Sequence, residues 1–331
     1  MIDGDCVSMD KTKKLTIKDI ATKANVSTAT VSRYLNGQLN QMSEKTAAKL
    51  KKIIKETAYI RNSAAVQLAK QKSNLIAVIA SNIDEYFSSE YFKGIVSILS
   101  AQGYIGVLFD SNSDKIIESA LLESVYNQNF AGLILQPLST DRRLIEKFSN
   151  NHIPVVLIDR DIGNGEISAV TTNNFQVTKF AMTSFLDKGF KKVTIITEPV
   201  NDISTRVERV AGARSVFDHV QLIEVDTDHL DLAELSDKID IKNPKNLLFV
   251  LKERLLIQLI ANTDLLNETT SQQRLTGFVD TNIPKYLAPK YKFIQQSPYL
   301  MGATAAEILM AQFLEQQTTD IKQIVIPSHF E

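Results

Sequence analysis

The chain has 331 residues, 44% of them hydrophobic, 23% charged and 7% aromatic, with a formal net charge of −1, enough for a small domain beside a large core divided in two. Its four histidines, His152, His219, His229 and His329, are scattered, and its single cysteine is Cys6, which excludes an internal disulfide framework or a multi-cysteine metal site. No apolar run reaches membrane length and the first residues are acidic and polar rather than a signal peptide, so a cytoplasmic chain with no membrane partner is expected.

In chain order, residues 1–14 read as a disordered extension, in which Met9 is a second candidate start. From Leu15 to Gly37 the pattern is two short helices around a three-residue turn. Ile17, Ile20, Ala21 and Ala24 recur at i, i+3, i+4 and i+7, so the first helix has one inward apolar face. Ala24-Asn25-Val26 makes the turn, and Ser27 is placed to cap a second helix whose Val31 and Leu35 point inward. That leaves Thr28, Ala29, Ser32 and Arg33 outward, a set of short side chains able to lie in a major groove. Ser43 heads a third helix to about Ala58, with Leu50, Ile53, Ile54 and Thr57 on one side and five lysines on the others. Asn62–Lys70 is a further short amphipathic helix, too short to be stable alone.

The same three helices also fit an ordinary helical unit with a solvated face; charge separates the two readings. Residues 11–74 carry 14 Lys+Arg against 3 Asp+Glu, whereas residues 75–331 carry 23 against 32. Attraction to phosphate is thus confined to the first 74 residues while the remainder repels it.

After Ser73 short apolar strands alternate with helical stretches: Leu75–Ala80, Ile105–Phe109, Gly132–Gln136, Val155–Ile158, Val193–Thr197, Leu222–Val225, Leu247–Val250 and Leu275–Val279. This alternation predicts an α/β core of parallel sheets flanked by helices, with ligands bound beyond the carboxyl ends of the strands.

The segments Thr16-Ile-Lys-Asp-Ile-Ala21, Val26–Asn36 and Asn62–Lys70 resemble the LacI/GalR family of bacterial transcription regulators. The likeness continues through Ile79–Ile95, Ile153–Arg160, Arg206–Gly212, Thr276–Asp280 and Ile294–Gln296. It implies a helix-turn-helix headpiece over 15–61, a hinge helix and linker over 62–74, and a two-lobed core like that of periplasmic binding proteins. The first lobe would comprise 75–173 with 298–319 and the second 174–297 with 320–331, the chain crossing near Thr172–Asn174, Gln296–Tyr299 and Thr318–Ile321. By the same resemblance Thr16, Ser27, Thr28, Ala29, Ser32, Arg33 and Asn36 meet operator DNA, as do Asn62, Ala65 and Leu68 of the hinge. Leu68 would wedge into the minor groove and bend the duplex; ordinary helix packing is its other reading. Ile60-Arg61 departs from the Arg-Pro that often precedes the family's hinge asparagine.

The resemblance places a small-molecule effector, a sugar or sugar acid, among Phe87, Ser88, Asp159, Arg160, Arg206, Arg209, Lys252, Asp280 and Gln296. Phe87 either stacks on ligand or belongs to the core, Asp159 and Arg160 either bind hydroxyls or pair with each other, and Arg206 either meets an anion or pairs with Glu208 or Asp202. Lys252-Glu253 stands where the family commonly has Asn-Asp, and Val279 where it commonly has a carboxylate. If Lys252 faces the cleft rather than solvent, the site exchanges an acceptor for an ammonium and suits an acid. The segments Tyr86–Ser89 and Glu198–Arg206 resemble regulators of uronate catabolism, which makes 2-keto-3-deoxygluconate a candidate.

No catalytic set, phosphate loop or dinucleotide glycine pattern is present, and the Gly163-Asn-Gly165 turn lacks the spacing, so neither an enzyme nor a cofactor is expected. An extracytoplasmic sugar-binding protein would share the core but has no use for a basic headpiece. The reading is therefore a homodimeric, sequence-specific repressor of a carbohydrate or sugar-acid operon, gripping a near-palindromic operator and released by its effector. The residues do not encode the sign of the response, which leaves corepression, or activation at some promoters, as alternatives.

Overall fold

The computed structural model describes residues 15–35, 37–57, 59, 73–139, 142–163, 165–201, 203–227, 229–240, 243–262, 274–314 and 322–331. The extension 1–14, Asn36, the hinge residues Asn62, Ala65 and Leu68, and the expected crossing at Thr318–Ile321 lie outside them. The chain divides into two compact units, residues 1–72 and 73–331.

In the first unit, α1 (Ile17–Ala24), α2 (Thr28–Leu35) and α3 (Glu44–Glu56) enclose Ile20, Ala21, Ala24, Val31 and Leu50. Each helix starts where a hydroxyl satisfies an orphan N–H. Thr16 and Asp19 form a reciprocal capping box, Ser27 Oγ accepts from Thr30 N at 3.1 Å, and Ser43 Oγ accepts from Thr46 N at 3.2 Å. The turn between α1 and α2 closes through Asn25, whose φ of 52° is the left-handed conformation that asparagine tolerates.

The second unit holds two six-stranded sheets. The first contains β1 (Leu75–Ala80), β2 (Ile105–Asp110), β3 (Gly132–Leu135), β4 (Val155–Ile158), β5 (Ser168–Thr171) and β11 (Gln323–Val325), all parallel, in the order β11-β5-β4-β3-β1-β2. The second contains β6 (Lys192–Thr197), β7 (Val220–Glu224), β8 (Asn246–Val250), β9 (Leu275–Val279), β10 (Ile294–Gln295) and β12 (His329–Phe330), ordered β12-β10-β9-β8-β6-β7, with β12 alone antiparallel. Strand order therefore reverses beside β1 in one lobe and beside β6 in the other, which makes a ligand crevice at the carboxyl edge of each sheet.

Helices cover both faces of each sheet, because strands buried on both sides carry apolar residues on both. In the first lobe α4 (Tyr86–Ala101) lies against α12 (Pro298–Leu314) over one face, and α5 (Lys115–Asn127) and α6 (Arg143–Asn150) cover the other. In the second lobe α7 (Asn174–Asp187) and α8 (Ser204–Arg214) cover one face, with α9 (Leu232–Lys238) and α10 (Glu253–Ala261) on the other; α11 (Ile283–Leu287) packs on α10. Gly94 and Gly302 let α4 and α12 touch backbone to backbone: a Cβ at Gly302 would fall on the Tyr91 carbonyl, and one at Gly94 on that of Tyr299.

One expected boundary is corrected. Residues 320–331 do not all belong to the second lobe: Gln323–Val325 pair with Ala169–Thr171 in the first sheet. The final crossing falls between Val325 and His329, where Thr172 Oγ1 is 2.7 Å from Ile326 O and 2.9 Å from Ser328 Oγ.

Candidate functional site

On the headpiece, Thr16, Ser27, Thr28, Ala29 and Arg33 are exposed and Ser32 is half-buried. The hydroxyls of Thr16 and Ser27 are already occupied as caps, which fixes the helix starts; Thr28, Ala29 and Arg33 remain as the outward row of α2. The exposed basic side chain and the short neighbours are what a groove-reading helix needs.

In the core, all nine residues expected at the effector site line one cleft of about 500 Å³. Its walls are the segments that follow β1, β2, β3 and β4 of the first lobe and β6, β7, β8, β9 and β10 of the second, including the first turns of the helices Tyr86–Ala101 and Ser204–Arg214. Phe87 belongs to the first-lobe core, its ring edge-on to Tyr91, and it also borders the cleft.

Asp159 and Arg160 are a buried pair. Arg160 Nε lies 3.4 Å from Asp159 Oδ2, Nη1 donates to Pro137 O at 3.1 Å and Nη2 to Ser81 Oγ at 3.3 Å. Asp159 has φ 70°, an uncommon conformation for a residue other than glycine, and accepts from Gln136 Nε2 at 2.8 Å.

Arg209 is the hub of the second lobe. Its Nε donates to Asn174 Oδ1, Nη1 to Leu251 O and Nη2 to Gln296 Oε1, each at 2.8 Å, and its plane lies 3.6 Å over the Phe278 ring. Burial lowers its pKa to about 10 although Asp159 and Asp280 oppose that shift. Gln296 in turn donates to Asp280 Oδ1 at 2.6 Å. Burial, with Glu253 adding to it, pushes the Asp280 carboxyl well above its ordinary value.

Val279 is buried in the second-lobe core and does not border the cleft, whereas Asp280, the next residue, does. Lys252 faces the cleft but is not an unengaged ammonium: it donates to Glu85 Oε1 at 2.7 Å and to Glu198 Oε1 at 2.6 Å. Arg206 pairs with Glu198 rather than with Glu208, and also donates to Pro199 O at 2.6 Å; Asp202 lies outside the described residues. Burial raises the Glu198 carboxyl, but Lys252 and Arg206 outweigh it and hold the group below its usual value.

Sequence reasoning missed Glu85, Glu198 and the neutral acceptors Ser81, Asn82 and Gln136. It also missed two buried carboxylates that hold the cleft loops. Glu118 accepts from Leu138 N at 2.6 Å and Ser139 N at 3.1 Å, and burial raises its pKa. Glu253 accepts from Thr281 N at 2.8 Å and from Asp280 N. The signal available for most of them was position, just after a strand on the carboxyl edge of a sheet.

Comparison with known proteins agrees with this fold. Residues 16–62 match the model of bacterial regulatory proteins of the lacI family, and residues 76–240 match the periplasmic binding protein domain. The chain is 30% identical over 302 residues to the HTH-type transcriptional regulator KdgR of Bacillus subtilis (strain 168), covering 88% of this chain and 89% of that one. The crystal structure of a LacI transcriptional regulator from Lactobacillus brevis superposes with a TM-score of 0.71 at 36% identity, over 78% of this chain and all of that one. The lac repressor dimer bound to operator and the anti-inducer ONPF shares the fold, with a TM-score of 0.79 at 20% identity over 96% of this chain and 98% of its own. The chain belongs to the LacI family of bacterial regulatory proteins. It is a DNA-binding transcription regulator, not an enzyme. Among the described residues no helix is long and apolar enough to cross a membrane.

Proposed function

We propose that this chain represses a carbohydrate or sugar-acid catabolic operon in the cytoplasm, binding a near-palindromic operator as a homodimer and leaving it when a sugar or sugar acid enters the core cleft. One observation carries the reading. The nine residues expected at an effector site, drawn from both lobes, border a single polar cleft in a chain that begins with a helix-turn-helix. A volume of about 500 Å³ suits a small polyhydroxylated molecule, and the Ser81, Asn82, Gln136 and Gln296 side chains offer the donors and acceptors it needs.

Two-fold symmetry supports the dimer, since one headpiece reads one half-site and paired half-sites make an operator palindromic. The lac repressor named above is such a dimer on its operator. Exposed apolar side chains, Ile116 and Ile117 on α5 and Tyr286 and Leu287 on α11, are surfaces suited to a second copy. The hinge residues Asn62, Ala65 and Leu68 couple the two functions in this reading. Effector changes the separation of the lobes, and hence whether both hinges can pack on DNA together. It does so only to the extent that it binds the two states unequally, so DNA and effector weaken each other reciprocally.

Calorimetric titration of the full chain with 2-keto-3-deoxygluconate, gluconate and glucose tests the effector class. Saturable binding of an acid, tighter than that of glucose and antagonised by operator DNA, is the expected result. Tighter binding of glucose than of either acid would reject the acidic effector, and binding indifferent to DNA would reject the coupling.

A further inference from the structure

A chain of alternating charge crosses the cleft from one lobe to the other. Glu85 belongs to the first lobe, while Lys252, Glu198 and Arg206 belong to the second. The Lys252 ammonium joins Glu85 to Glu198, and the second oxygen of Glu198 meets Arg206. These are shielded contacts: the side chains of Glu85, Lys252 and Glu198 are only 12%, 16% and 17% exposed. Beside them Asp84 lies 3.9 Å from Arg254, a second pair with the carboxylate on the first lobe and the cation on the second.

Glu85 occupies the N-cap position of α4, yet its side chain makes no capping bond. Short Ser, Thr, Asp or Asn side chains serve that position best. A glutamate there gives up the cap and gains reach, and the reach is used on Lys252, 167 residues away in sequence.

The four charges cancel. A neutral sugar entering the cleft meets a chain already balanced and leaves it intact. A carboxylate ligand finds its natural partner, Lys252, holding two carboxylates, and a third on the same ammonium would leave an uncompensated negative charge in a shielded site. One of the two must yield. Glu198 is anchored further by Arg206 and by Thr227 Oγ1 at 2.7 Å, so the displaceable partner is Glu85.

We propose that Glu85 is the selectivity residue of the cleft and the movable half of an ionic latch between the lobes: its carboxylate stands in for that of an acidic effector, which enters by taking its place on Lys252. This rests on the effector class proposed above. Acidic and neutral sugars then act oppositely on the lobes, the acid opening the Glu85–Lys252 contact and the neutral sugar preserving it.

Two measurements on the full chain test the latch. Glu85→Gln is isosteric and leaves the chain with one surplus positive charge, so gluconate should bind about tenfold or more tightly than to the unaltered protein, and its preference over glucose should rise with it. Lys252→Gln should abolish the preference for gluconate. Gluconate affinity that is unchanged or weaker in Glu85→Gln would overturn the proposal. Spin labels on Ser119→Cys and Asp237→Cys, in a Cys6→Ser background, report the lobe separation directly. Without any sugar, Glu85→Gln should lengthen or broaden that distance distribution, and an unaltered distribution would overturn the latch. Should none of the sugars bind any variant, the effector class fails, while the ligand-free distances still decide the latch.

Discussion

Arg209→Ala removes the group on which the second-lobe side of the cleft is assembled. The guanidinium makes three charge-assisted hydrogen bonds at 2.8 Å and covers the Phe278 ring. Each such bond contributes about 1.5–3 kcal/mol and the stacking about 0.5–2 kcal/mol, but the terms share one side chain and do not add. Against them stands the cost of burying a cation, which the pKa lowered to about 10 reflects. The net loss falls in the range of about 3–5 kcal/mol found when one member of a buried charged network is deleted, because Asn174, Gln296 and the Leu251 carbonyl lose their donors. For a unit of this size that corresponds to a fall of about 10 °C in the Tm of the core transition. Arg209→Lys keeps the charge but presents donors from a single point, so it should recover less than half of the loss. Calorimetric or urea unfolding of the full chain, following the core transition, makes the measurement. A change below about 1 kcal/mol in Arg209→Ala would refute the view that this arginine organises the cleft.

Other perturbations have equally definite outcomes. Gly302→Ala drives a methyl group onto the Tyr91 carbonyl and should destabilise the core by at least about 1–3 kcal/mol in urea unfolding, an effect that would be absent if α4 and α12 could separate freely. Asp280, whose folded pKa is raised, stabilises the fold fully below the unfolded carboxylate value and ceases to do so as pH climbs through the folded one. Asp280→Asn keeps an oxygen for Gln296 but cannot ionise, so the fall in Tm as pH rises above the ordinary carboxylate range should shrink; an unchanged fall would show that Asp280 is not the group responsible. Arg33→Ala should either lower the salt slope of operator binding by about one ion or relax one base preference, and a variant matching the unaltered protein on both counts would remove Arg33 from the interface.

The architecture was largely legible because long-range order and local chemistry agree. Buried parallel strands write themselves as apolar runs, and Leu75–Ala80, Val155–Ile158 and Leu275–Val279 have the expected ends. The strands that were not expected are short or weakly apolar: Ser168–Thr171, the two-residue β10 and β12, and Gln323–Val325, where the flanking residues of the edge strand are exposed. Gln323–Val325 pairs with Ala169–Thr171, far earlier in the chain, so no local pattern marks the last lobe boundary. Site residues that end strands were legible from position alone. The partners of Lys252 were not, since Glu85 is brought to it only by the approach of the two sheets, and no local periodicity encodes that approach.

Selection of bound duplexes from a randomised pool, repeated with the sugar acid present, tests most directly that the headpiece reads DNA under control of the cleft. The account predicts enrichment of a sequence with two symmetry-related half-sites, and loss of that enrichment when the acid saturates the core. Recovery of unenriched duplex, or of the same enriched sequence in undiminished yield with the cleft filled, would contradict it.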